Sequence, residues 1–399
     1  MNVAASSPVI GDPEWAAMHA AIDKHWLTAS AINRKFEGAL SAFTGIPNVR
    51  TCNSGSSANL LAVAAMVEAG YWKPGDEIIT AAACFPTTVN PLFLYGLKPV
   101  FVDILPTTYN VNPDQLWRAI GHKTTGIILA HTLGNPFSSE ILELARRREL
   151  HVIEDCCDAL GATYEGVHVG TTGDIATCSF FPAHHITTGE GGAVFTSDPV
   201  LLRAVERVRD WGRDCWCEAG QNNTCGVRFD QQHGELPHGY DHKYTMSALG
   251  FNLKMTEIQA ACGLAQMDRL TGFIEARRRN WAYLRERLDH MRGLLVLPEA
   301  TPGTEPSWFG FMLTIRESGL RNGMQQYLIQ RGVDSRLLFA GNLTKQPYMA
   351  KRKFLVAAEL RVTDEVMDNG LWVGCWPGLT EEQLEHTAKC IETYMGVFD

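Results

Sequence analysis

The chain has 399 residues, 45% hydrophobic and 20% charged, with Lys+Arg 35 against Asp+Glu 44 and a net charge of -9. That composition suits a globular protein with one large and one smaller domain, and the acidic balance disfavours DNA or an anionic membrane as partner, so any phosphate ligand needs a local site. The opening MNVAASSPVIGDPEW has no basic stretch before an apolar core, and no apolar run approaches the roughly 20 residues that span a bilayer, so a cytoplasmic, non-membrane protein is expected.

An N-terminal segment (1–25) precedes a large domain expected over 26–270. From about residue 50 to 200 the runs DEIITAA, KPVFVDI, TGIILAHT, HVIEDC and IATCSFF alternate with helical stretches such as SSANLLAVAAMVEA and SSEILELARRREL. This alternation predicts an α/β domain whose sheet is mostly parallel. Between Asp214 and Lys243 the periodicity stops, and a long polar, Gly-rich loop (213–245) is inserted; loops of that length inside a domain usually serve function or are disordered. Apolar residues at helical spacing within TGFIEARRRNWAYLRERLDHMR predict a connecting helix, opening a C-terminal α+β domain over 271–399.

Four segments carry candidate chemistry. In NSGSSANL, the backbone N–H groups of Gly55, Ser56 and Ser57 precede a helix and can face an anion at its positive end; an ordinary serine-capped helix is the alternative. Asp155 closes a predicted apolar strand, where open α/β sheets bind ligands, and a carboxylate there can keep a pyridine nitrogen protonated. It could equally cap a turn. Phe85 in CFPTT can stack on a ring, and SFFPAHHITTGEGG places His184 and His185 after Ser179.

Together these segments resemble the DegT/DnrJ/EryC1/StrS family of sugar aminotransferases over roughly residues 25 to 395. The resemblance implies an aspartate-aminotransferase-like (PLP fold type I) large domain. Gly55, Ser56, Ser57 and Ser179 then look like phosphate ligands, Asp155 like the pyridinium partner and Phe85 like the stacking residue. Asn252 resembles the asparagine that reaches the phosphate from a second subunit, implying a homodimer with shared sites. His184 replaces the lysine of the family's transaminases, so the cofactor cannot be held covalently and would be pyridoxamine phosphate (PMP). The family's 3-dehydratases show this replacement. For them His184 would be the base, removing a proton from the cofactor's C4′ carbon so that the C3 hydroxyl of a nucleotide-linked 4-keto-6-deoxyhexose is expelled. His185 reads as a packing or hydrogen-bonding residue; Glu190 either orients this loop or is a solvated turn carboxylate.

Eleven cysteines without a secretion signal argue against a disulfide framework. Three of them, Cys215, Cys217 and Cys225, fall in the inserted loop, and with Cys157 they give C-x57-C-x-C-x7-C. This spacing resembles the [2Fe-2S] ligands of the iron-sulfur branch of the family's 3-dehydratases. A structural zinc site is the alternative, and Cys156 stands beside Cys157. A cluster would carry electrons from a partner reductase, an NADH-dependent flavin and iron-sulfur protein, since no dinucleotide fingerprint occurs in this chain. For the sugar, the resemblance places Trp308, Phe309, Arg336, Asn342 and Lys345 near the nucleotide, although core aromatics and a solvated loop read equally well; His242 or Lys243 could contact the diphosphate. The rivals are a cluster-free dehydratase recycled by glutamate, a catalytically inactive relative with a zinc-stapled loop, and an ordinary sugar aminotransferase.

Overall fold

The computed structural model describes residues 1–217 and 221–396. In chain order the strands of the large domain are β1 (Asn48–Cys52), β2 (Glu77–Ala81), β3 (Lys98–Val102), β4 (Thr124–Ala130), β5 (His151–Asp155), the ribbon β6 (Thr163–Tyr164) and β7 (Val167–His168), then β8 (Ile175–Ser179) and β9 (Gly192–Thr196). The C-terminal part of the chain adds β10 (Leu295–Val296), β11 (Thr304–Glu305), which joins the β6–β7 ribbon, β12 (Gly310–Ile315), β13 (Ser335–Arg336), β14 (Leu355–Val356), which joins the large sheet, and β15 (Gly370–Gly374). An eight-stranded sheet runs β1-β9-β8-β5-β4-β2-β3-β14, parallel from β8 to β14 and antiparallel where β9 joins β8 and β1. Its central strands are buried almost throughout because both faces are covered by helices, which is why they read as mostly apolar runs.

The helix Gly55–Glu68 packs on β8, β9 and the helix Pro199–Arg209, and its small side chains let it sit deep in the domain. The helix Leu270–Arg287 leads into the second sheet, β10-β12-β15-β13, which has its own core. The first 25 residues bind to both domains: Val3 bridges to Val333, Trp376 Nε1 donates to the Ala4 carbonyl at 2.8 Å, and buried Glu14 meets Arg269 at 2.9 Å. Instead of standing free, the inserted loop is pinned by bridges Asp210↔Asn252 and Arg213↔Met246 and by the Arg228–Asp241 pair at 2.7 Å. No helix among the described residues is long and apolar enough to cross a membrane.

Candidate active site

The carboxyl ends of β4, β5 and β8 open into a cavity of about 530 Å³, closed from the other side by Phe309, Arg336 and Trp372 of the small domain. At its floor the Ser54 hydroxyl accepts from the Ser57 amide at 3.0 Å and the Ser54 carbonyl accepts from Ala58, which leaves the Gly55 and Ser56 amides, among the described residues, for an anion. A Cβ on Gly55 would stand 2.4 Å from the Ser179 Cβ, so only glycine lets this helix end approach β8 so closely. Asp155 accepts from Asn59 Nδ2 at 2.9 Å, the Thr88 hydroxyl at 2.7 Å and the Cys157 amide at 3.1 Å. Phe85, half exposed, lines the wall beside it.

His184 faces the same cavity. Its Nδ1 lies 3.4 Å from Asp158 Oδ1, and its ring leans on Phe309 with centroids 5.1 Å apart. Burial and the nearby Arg277 charge push the His184 pKa down to about 4, so the imidazole is a neutral base. Burial and the charge of Asp155 push Asp158 up to about 8, which keeps its carboxyl protonated beside the imidazole. Arg277 is itself buried and donates to the His184 carbonyl at 3.1 Å and the Trp308 carbonyl at 3.2 Å. Among the described residues no lysine lines the cavity.

The other candidates divide clearly. Ser179, Phe309, Arg336 and Glu190 line the cavity; Ser57 does not, its amide being used within the helix cap. His185 is buried and donates to the Ser307 carbonyl at 2.8 Å, a hydrogen-bonding role. Trp308 stacks on Trp281 at 4.0 Å in the small-domain core, and Asn342 and Lys345 both bind Asp364 at 2.7 Å, so these three stand outside the cavity. Asn252 is exposed and does not line the cavity of its own chain. Lys243 pairs with Asn222 at 2.8 Å, whereas His242 is fully buried. The sequence reading missed Asp158, Asn59, Thr88 and Arg277. A second carboxylate three residues after Asp155 was the signal available for the first of these.

Cys215, Cys217 and Cys225 come together in the loop: the Cys217 amide donates to Cys215 Sγ at 3.4 Å, and the Cys217 thiol contacts those of Cys215 and Cys225. Burial acts against ionisation, but hydrogen bonds from Thr224, the Cys225 backbone and the adjacent thiols hold Cys217 down at about 6. Such a set of soft donors fits a thiolate-bound metal. Cys157 lies in the cavity wall, where a Gly55 Cβ would meet its Sγ at 3.2 Å, and its surroundings are Asp155, Asp158 and Cys178. Cys156 points into the core by Gly170. His131, Glu154 and Cys156 also approach one another, but Glu154 accepts from His131 Nε2 and from the Gly170 and Gly173 amides, and His131 Nδ1 accepts from Phe137. That group is a satisfied network clamping β4 to β5.

Sheet, cradle and cavity define an α/β enzyme of aspartate-aminotransferase-like fold. The model of the DegT/DnrJ/EryC1/StrS aminotransferase family matches residues 8–392, and the chain belongs to that family. It is 51% identical to lipopolysaccharide biosynthesis protein RfbH of Salmonella typhimurium (98% of this chain, 91% of the relative). It is 47% identical to dTDP-4-dehydro-2,6-dideoxy-D-glucose 3-dehydratase of Saccharopolyspora spinosa (96% and 84%). Among solved structures, E. coli GDP-4-keto-6-deoxy-D-mannose-3-dehydratase with bound hydrated PLP matches with a TM-score of 0.88, at 28% identity over 98% of this chain and 99% of that one.

Proposed function

We propose that this chain is a PMP-dependent 3-dehydratase that removes the C3 hydroxyl of a nucleotide-linked 4-keto-6-deoxyhexose, working as a homodimer, with a [2Fe-2S] centre in the cysteine loop. Electrons would come from an NADH-dependent flavin and iron-sulfur reductase. The observation that carries the reading is His184: among the described residues a neutral imidazole, and no lysine, faces the cavity that holds the phosphate cradle and Asp155. Relatives named as sugar 3-dehydratases support the reaction class.

The residues present fit PMP: amides at a helix N-terminus for its phosphate, a fixed carboxylate for its ring nitrogen, and an aromatic wall. Bound there, PMP supplies an amine for the sugar ketone and an electron sink for the elimination. Asp155, held by three donors, keeps a lone pair for a pyridinium N–H. Phe85 and Phe309 exclude water, and Arg336 at the mouth offers a cation to the nucleotide diphosphate. His184 takes a proton at C4′ and can return it to the departing C3 oxygen. A 3-deoxy product needs two electrons from outside the sugar. A loop with three adjacent thiols suits a one-electron carrier, and a glutamate-recycled enzyme has no use for it.

The test is proton exchange at C4′ of PMP in deuterated buffer with substrate present. His184→Asn should keep PMP affinity and lose exchange by about 100-fold or more; unchanged exchange would remove His184 from its role. Anaerobic reconstitution should give two irons and two sulfides per chain, and their absence would favour recycling by glutamate.

A further inference from the structure

We infer that the Ser6 hydroxyl, carried into the cavity by the N-terminal segment, binds the hexose of the nucleotide-linked substrate. This rests on the proposed reading of the cavity as a nucleotide-hexose site.

The residues before the first helix form a strap fastened at both ends. At the small sheet, the Val3 amide donates to the Gly332 carbonyl at 2.7 Å, the Val3 carbonyl accepts from the Asp334 amide at 2.8 Å, and the Ala4 carbonyl accepts from Trp376 Nε1. A Cβ on Gly374 would stand 2.6 Å from the Ala5 carbonyl oxygen, so the strap lies directly against the end of β15. At the other end, the Val9 carbonyl accepts from Gln266 Nε2 at 3.0 Å and from Arg269 at 3.2 Å. Val3 and Ala5 are buried, and among the described residues of the strap Ser6 is the one that lines the large cavity.

The position of Ser6 along the strap decides what it can touch. Ser7, Pro8 and Val9, which follow it, line a small second cavity together with His184, His185 and Arg277. One residue of chain spans at most about 3.6 Å, so Ser6 enters the main cavity on the side of the base. On the proposed mechanism His184 serves the carbon that loses its proton and the departing C3 oxygen, so the sugar ring is the part of the substrate that lies there. The other hydroxyls of the cavity are already engaged: Ser54 with Ser57, Ser56 with Thr87, Thr88 with Asp155, and Ser179 with the Phe181 amide. Among the described residues no hydrogen bond uses the Ser6 hydroxyl. A serine hydroxyl donates and accepts, so it can meet a sugar hydroxyl in either direction, and a strap tied down on both sides holds it in place without a partner of its own.

The test is calorimetric titration of full-length, PMP-loaded His184→Asn protein, alone and combined with Ser6→Ala or Ser6→Thr. The ligands are CDP- and dTDP-4-keto-6-deoxyglucose, GDP-4-keto-6-deoxymannose and the three bare nucleoside diphosphates. Ser6→Ala should weaken binding of the accepted hexose compound by about five- to tenfold, the loss of one hydrogen bond, while the matching bare diphosphate stays within roughly twofold and Ser6→Thr within roughly threefold for both. Unchanged hexose affinity in Ser6→Ala, or equal weakening of hexose compound and bare diphosphate, would overturn the assignment; the second result would mean that the substitution acts on the nucleotide end or loosens the strap. Failure of the functional reading looks different: if none of the three hexose compounds binds to the protein with Ser6 intact, that reading falls and this assignment with it. Ser6-dependent hexose binding in a protein whose unsubstituted form eliminates nothing would uphold Ser6 and reject the dehydratase alone.

Discussion

At the scale of single residues, the chemistry depends on how burial sets two protons. His184 is held neutral by burial and by Arg277, and the acid limb of kcat/KM should therefore fall near pH 4 to 5 and not near the ordinary histidine value of about 6.5. A pH–rate profile of the reconstituted enzyme checks this, and a limb near 6.5 would refute it. Stability carries the same sign: the unfolded chain binds the His184 proton more readily, so stability is lost as pH falls from about 6.5 towards 4. Replacing Arg277 by Met removes the guanidinium that donates to the carbonyls of Ala183, His184, Trp308 and Phe309. It should cost about 3 kcal/mol or more in urea denaturation and move the acid limb upward. Asp158→Asn imitates the protonated carboxyl facing His184 Nδ1 and should keep turnover within a few-fold, while Asp158→Ala should lose roughly tenfold in kcat with little change in KM. Equal losses in both variants would show that ionisation of Asp158 matters. Arg277 was not legible beforehand: in EARRRN an arginine reads as one more solvated charge, and only the tertiary fold turns it under Phe309.

At the scale of elements, the helix Gly55–Glu68 is the piece on which the cofactor cradle depends. Gly55→Ala would drive a methyl group into Ser179, against a core strand that cannot retreat, and should lower PMP affinity by tenfold or more with about 1–3 kcal/mol of lost stability. Absorbance titration with PMP and denaturant melts read the two effects separately. The parallel strands were legible because burial on both faces makes them mostly apolar runs, and β5 and β8 end where the quoted segments placed Asp155 and Ser179. The two-residue strands β6, β7, β10, β11, β13 and β14 were not, since no period can register in two residues. Aromatics misled in the same way: Trp308 and Phe309 are neighbours on an apolar approach to β12, so one turns into the core against Trp281 and only the other meets the cavity.

At the scale of the molecule, the cavity lies between the two sheets, but Asn252 is exposed and does not line its own chain's cavity. In the chain segment before it, Tyr244, Met246 and Leu249 are 61%, 51% and 77% exposed. On the homodimer reading each site takes its base from one subunit and its phosphate-binding asparagine from the other, and the two contributions can be separated by mixing. His184→Asn and Asn252→Ala should each be nearly inactive as homodimers. Co-expressed with different tags, half of the dimers are hybrids in which one site carries both defects and the other carries none. Isolated hybrids should then regain about half, and the unfractionated mixture about a quarter, of wild-type turnover. If Asn252 served its own subunit, every site in the hybrid would keep one defect and no activity would return. The recovery therefore separates a shared site from a dimer whose sites are independent, which a measurement of molecular mass alone cannot do.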